Sequence, residues 1–107
     1  MEKFTNREFK ALTTEVMRIA REITNTSIYN CSVSLDKEYT SLTIHRDDDR
    51  SIVCMLYFQR DRYCEVNGFK KLFYLENVLT KVTFGKYLSI ISQAYCNCDK
   101  KEVYFEF

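Results

Sequence analysis

The stretch TNREFKALTTEVMRIAREIT, residues 5–24, decides how the rest of the chain is read. Thr5 followed three residues later by Glu8 is the pattern of a capping box, in which side chain and backbone satisfy each other's free donors. Phe4 before the cap and Phe9 at the fourth helical position form a hydrophobic staple. Phe9, Leu12, Val16, Ile19 and Ile23 then recur at spacings of three and four, so one apolar stripe runs along an amphipathic helix. Asn25 is the expected helix end, because Asn tolerates the left-handed conformation. Arg7, Lys10, Arg18 and Arg21 fall on the opposite stripe, and Glu8, Glu15 and Glu22 lie beside the core edge. The heptad implied by the glutamates spans little more than two repeats, too short for a coiled coil.

Outward from this helix the period changes from 3.6 to 2. Over residues 26–35, Tyr29, Cys31, Val33 and Leu35 alternate with Asn30, Ser32 and Ser34, a half-buried strand. Asp36-Lys37-Glu38 turns the chain. A second strand over 39–45 places Leu42 and Ile44 inward and Ser41, Thr43 and His45 outward. The polar run 46–50 turns again. Residues 51–59 are apolar on both sides, with Ile52, Cys54, Leu56 and Phe58 against Val53, Met55 and Tyr57. Such a strand is central and covered on both faces. Asn67-Gly68 suits a type I′ turn, so residues 62–75 read as a tight hairpin in preference to one strand and a loop.

Asn77 is positioned to cap a short turn over 78–82, and Thr83 to cap a longer helix over 84–95. One helix through both would point Val78 and Val82 away from Phe84, Tyr87, Leu88, Ile91 and Tyr95, leaving no single buried face. Residues 102–107 alternate as a closing strand, with Val103, Phe105 and Phe107 on one side and Tyr104 on the other. The expected fold is therefore a single α+β domain over residues 1–107. Its antiparallel sheet has about five to six strands in the order α-β-β-β-(β-β)-α-β. Both helices pack mainly on one face, since strands joined by short turns pair antiparallel.

Composition narrows the function. The 107 residues carry 16 Lys and Arg against 15 Asp and Glu, so no bulk basic excess favours nucleic acid. Two glycines and no proline leave no material for a phosphate-cradling glycine loop. No apolar run is long enough to span a membrane, and the polar N-terminus does not read as a signal peptide. A cytoplasmic protein follows, in the host cytoplasm if phage-encoded. Abundant Lys, Asn, Ile, Tyr and Phe suit an AT-rich bacterial or phage genome. Five cysteines, an odd number with no secretion signal, read as reduced thiols.

Each candidate site also has a plainer structural role. His45-Arg46-Asp47-Asp48-Asp49 is dense in carboxylates but lacks the alternate-position ligands, glycine and distal Glu of a calcium loop. Asp favours turns, so a hairpin turn comes first, then an acidic knob for a partner's basic site, then a metal. Cys96-Asn97-Cys98 is one close pair where zinc needs two, and only His45 and Cys64 could complete it. No metal and no cofactor is expected. A thiol nucleophile would need Cys64 beside the single His45.

The second face of the sheet is the more informative feature. Val53, Met55, Tyr57, Tyr63, Tyr74 and Tyr104 are expected there, and Tyr and Met are enriched at recognition surfaces. That face is either open for a partner or covered by the second helix. In size and composition the chain resembles the small inhibitors carried by phages and mobile elements, anti-CRISPR and immunity proteins among them. The resemblance is one of kind and transfers no residue. It implies a non-enzymatic inhibitor or adaptor that occludes a protein partner. Asp47, Asp48, Asp49, Met55, Tyr57, Tyr63, Tyr74 and Tyr104 are the expected contacts. The alternative is a nucleic-acid-binding module using Arg7, Lys10, Arg18 and Arg21 on phosphates, and a small hydrolase or thiol enzyme comes third. Monomer and homodimer are both compatible with the sequence.

Overall fold

The computed structural model describes residues 5–59, 64–68, 71–74 and 81–103. Helix α1 spans Asn6–Thr26. Its start follows from the capping pair: Thr5 Oγ1 accepts from the Glu8 N–H, and the Glu8 carboxylate accepts from the Thr5 N–H, both at 3.1 Å. Phe9, Val16, Ile19, Ala20 and Ile23 form its buried stripe. The end differs from expectation. Asn25 stays helical, and Ser27 terminates the helix in extended conformation, its N–H and hydroxyl both donating to the Ile23 carbonyl. A serine that satisfies a last-turn carbonyl twice makes a left-handed residue unnecessary.

Strands β1 (Tyr29–Leu35), β2 (Tyr39–Arg46) and β3 (Ile52–Gln59) follow as an antiparallel meander. The Asp36 carboxylate accepts from the Glu38 N–H at 3.3 Å and closes the first turn. On one face Tyr29, Leu42, Ile44, Cys54, Leu56 and Phe58 are buried in a single cluster with the α1 stripe. Leu35, expected inward, is 49% exposed at the end of β1.

Strand β3 departs from simple alternation. The register shifts between Ile44 and His45, so Ile44 pairs with Cys54 while His45 pairs with Ile52. Val53 is the extra residue of a bulge, which reverses the facing of what precedes it. Ile52, expected in the core, is therefore 67% exposed, and Val53, expected on the second face, packs against the core.

The backbone continues through β4 (Cys64–Gly68) and β5 (Lys71–Tyr74), giving the order β1-β2-β3-β4-β5. Asn67 and Gly68, expected to form the hairpin turn, are strand residues paired with Leu72 and Lys71. A turn at Asn67-Gly68 would have set Lys71 opposite Cys64 in mid-sheet. The observed register moves Lys71 to the hairpin end and sets Phe73 in one row with Val66, Leu56, Leu42 and Val33.

Helix α2 spans Lys81–Tyr95, so Thr83 lies inside it and is not its cap. The expected break between a turn over 78–82 and a helix from 84 is absent: residues 81 and 82 run directly into α2, and the rest of that turn lies outside the described residues. Leu88, Ile91 and Tyr95 join the α1 cluster, which places α2 on the same sheet face as α1. The left-handed Asn occurs here instead, at Asn97 with φ 59°. The segment after α2 is stitched to the α1–β1 corner. Asn97 N–H donates to Thr26 Oγ1, Ile28 N–H to the Cys98 carbonyl, and Tyr29 Oη to the Lys100 carbonyl at 2.6 Å. Glu102 and Val103 are not in a strand, and the remainder of the expected closing strand lies outside the described residues.

Candidate protein-binding face

The face turned away from both helices is built by the even rows of β1 and the odd rows of β2 and β3. Asn30, Ser32 and Ser34 lie beside His45, Thr43 and Ser41, which pair in turn with Ile52, Met55 and Tyr57. Met55, Tyr57 and Tyr39 are half-buried. The Tyr39 and Tyr57 rings stack diagonally across the β2–β3 pair at a centroid distance of 5.6 Å and 24°, a separation at which long side chains on neighbouring strands still interact. Ile52 extends the stripe along β3. It was not legible as a surface residue because the bulge that turns it outward carries no glycine or other marker in the sequence.

The remaining expected contacts are placed unevenly. Tyr74 shares a register row with Glu65 and Tyr57. Tyr63 and Tyr104 lie outside the described residues.

The acidic turn is more structural than a free knob would be. The Arg46 guanidinium holds both oxygens of Asp48, at 3.2 and 3.0 Å, and approaches Asp49 at 3.8 Å. Lys101 Nζ lies 3.6 Å from Asp48. Asp49 Oδ1 accepts from the Ser51 N–H and hydroxyl, at 2.9 and 2.7 Å. These bonds set the carboxyl pKa values below their ordinary range: the Arg46 hydrogen bond for Asp48, and the Ser51 N–H followed by its hydroxyl for Asp49. Asp47 accepts from the Asn30 side-chain amide. Arg50 closes the turn in the left-handed region, φ 61°. Beside it, Asn30, His45, Asp47 and Arg50 line a polar cleft of about 430 Å³. His45 Nε2 is 3.3 Å from Ser32 Oγ, and its buried Nδ1 has no hydrogen-bond partner among the described residues.

The basic stripe on α1 is exposed at Arg7, Lys10, Arg18 and Arg21. Arg18 is bound to Glu15 and Glu22, and its hydrogen bond holds the Glu15 carboxyl below its ordinary pKa. Among the described residues, Arg7, Lys10 and Arg21 enter no ion pair.

Two of the thiols, Cys31 and Cys54, sit on the core side of the sheet. Burial pushes Cys54 up to about 12 and Cys31 up to about 11, the opposite of an activated nucleophile. Cys64 occupies the row of Phe58 and Thr40. His45 is five residues further along β2, about 16 Å away at strand rise. Cys96 Sγ lies 3.5 Å from Ser92 Oγ, and Cys98 Sγ contacts the Lys100 carbonyl. Among the described residues, no three His, Cys, Asp or Glu side chains gather in a metal-binding group, and no helix is long and apolar enough to cross a membrane.

No protein-family model, no curated protein and no solved structure matches the chain.

Proposed function

We propose that this chain is a non-enzymatic interaction protein that binds a protein partner through the sheet face opposite its helices, in the manner of the small phage-borne inhibitors, anti-CRISPR proteins among them. The observation that carries the reading is the stripe Ile52, Met55 and Tyr57 with the stacked Tyr39. It sets large apolar and aromatic side chains on a face whose other members in β1 and β2 are Ser, Thr, Asn and His45. Rigid aromatic anchors with a polar rim are the usual anatomy of a recognition surface. The mechanism is occlusion of the partner's active or nucleic-acid-binding site.

The test is affinity capture from a bacterial lysate with the wild-type chain and with Ile52→Glu, each with and without nuclease. Ile52 is mostly exposed, so the substitution leaves the fold intact. A single stoichiometric protein that survives nuclease and weakens at least about tenfold with Ile52→Glu supports the reading. Retention of that protein by Ile52→Glu moves the contact off this face. Loss of every partner with nuclease transfers the case to Arg7, Lys10 and Arg21 on nucleic acid, whose binding should then fall steeply with salt.

A further inference from the structure

Strand β1 is an edge of the sheet, and its outer edge changes character half-way along. At its start the outward groups are closed by the chain itself. Tyr29 N–H donates to Ser27 Oγ at 3.1 Å and Cys31 N–H to Thr24 Oγ1 at 3.2 Å. Antiparallel ladders alternate, so the N–H and C=O groups of Val33 and Leu35 also point away from β2. No described residue hydrogen-bonds these groups.

The cause lies in the path of α1. Its C-terminal end closes on β1 through Thr24. Further back, Thr13 Oγ1 meets Thr40 Oγ1 of β2 at 2.9 Å, and Phe9 meets Phe58 of β3 at a ring distance of 5.4 Å. The helix therefore crosses the sheet diagonally and, among the described residues, nothing covers the end of β1. A largely apolar groove of about 560 Å³ opens there between Phe9, Thr13 and Leu35.

We infer that this edge pairs with the same edge of a second copy of the chain, about a two-fold axis at Ser34. That register sets Val33 opposite the partner's Leu35 and Leu35 opposite the partner's Val33. It makes about four hydrogen bonds from the four open groups and their symmetry mates. It leaves Cys31 to Thr24. It also sets apolar against apolar on the helix side, where the groove receives the added Leu35, and Ser34 against the partner's Ser34 on the other. A self-complementary patch is what an isologous interface requires. Residues 29–35, YNCSVSL, hold no charge and no proline, and their pairing with β2 has no bulge. Beyond the part that Ser27 and Thr24 close, no charge, proline or bulge within the strand guards this edge.

The experiment measures the mass of the full chain in solution between about 10 and 500 µM by light scattering or sedimentation. It is repeated for Ser34→Lys, Ser34→Glu and their equimolar mixture, with circular dichroism to confirm folding. Ser34 is exposed, so both variants keep the fold. Wild type is expected as a concentration-dependent dimer. Either variant alone dissociates at least about tenfold more readily, since like charges face each other across the axis. The mixture re-forms a heterodimer. A wild-type chain that stays monomeric over the whole range, or a dimer that both variants and the mixture leave unchanged, overturns the inference.

Discussion

Thr5 shows how much one hydroxyl can decide. It satisfies an amide that no helical carbonyl can reach, while Glu8 returns the bond to the Thr5 amide. Thr5→Ala should cost about 1 kcal/mol of unfolding free energy, read by urea denaturation, and Thr5→Ser should restore nearly all of it. This pair was legible because every participating group is within four residues. The alternation of Leu42 and Ile44 with Ser41 and Thr43 was legible for the same reason. Ile52 and Val53 were not. Their facing depends on where β2 and β3 lose register, and nothing within four residues encodes that. Asn97 and Asn25 make the same point: both tolerate a left-handed backbone, and only the neighbouring Ser27 and Thr26 hydroxyls decide which one uses it.

At the scale of elements, the β2–β3 turn is held by its own charges. Arg46 and Ser51 occupy the Asp48 and Asp49 carboxylates, so a triple alanine replacement of Asp47, Asp48 and Asp49 would weaken the turn together with any contact the turn makes. Arg50 is the strained member, a residue with a β-carbon at φ 61° where glycine is at ease. Arg50→Gly should raise stability by up to about 1 kcal/mol, the relief of the left-handed strain less the added chain entropy. The measurement is the urea midpoint, and a fall in midpoint would contradict the assignment of strain. The β4–β5 hairpin teaches the complementary lesson. Asn67-Gly68 signals a turn, yet both residues pair in the β4–β5 ladder, and Val33, Leu42, Leu56, Val66 and Phe73 share one register row. A row across five strands is invisible to any reading that advances one turn at a time. The candidate face suffers likewise: Met55 and Tyr57 were legible from alternation, but their joining with Tyr39 and Ile52 is a property of pairing.

At the scale of the whole molecule, both helices press on one side of the sheet, and the ionisable groups divide accordingly. On the buried side, Cys54 is driven to about 12 and Cys31 to about 11, and burial raises Tyr95 and Tyr29 as well. A folded thiol held protonated binds more protons than the unfolded one between the two pKa values. Its contribution is therefore complete below about pH 8.5, the unfolded value, and is lost as pH rises toward the folded one. On the open side, Asp48 and Asp49 are held below their ordinary values. Their contribution is complete above about pH 4 and lost as pH falls through the folded values. Both are half exposed and screened by solvent, so the acid limb is shallow and the alkaline limb steep. By pH 10, Cys54 alone should remove roughly 2 kcal/mol. Cys54→Ala should cost on the order of 1 kcal/mol at pH 7 from the lost sulfur contacts, yet flatten the fall between pH 8 and pH 10. Thermal midpoints of both proteins under reducing conditions decide the matter. A variant that loses stability as steeply as wild type over that range would place the alkaline limb on Cys31 and the core tyrosines and not on Cys54.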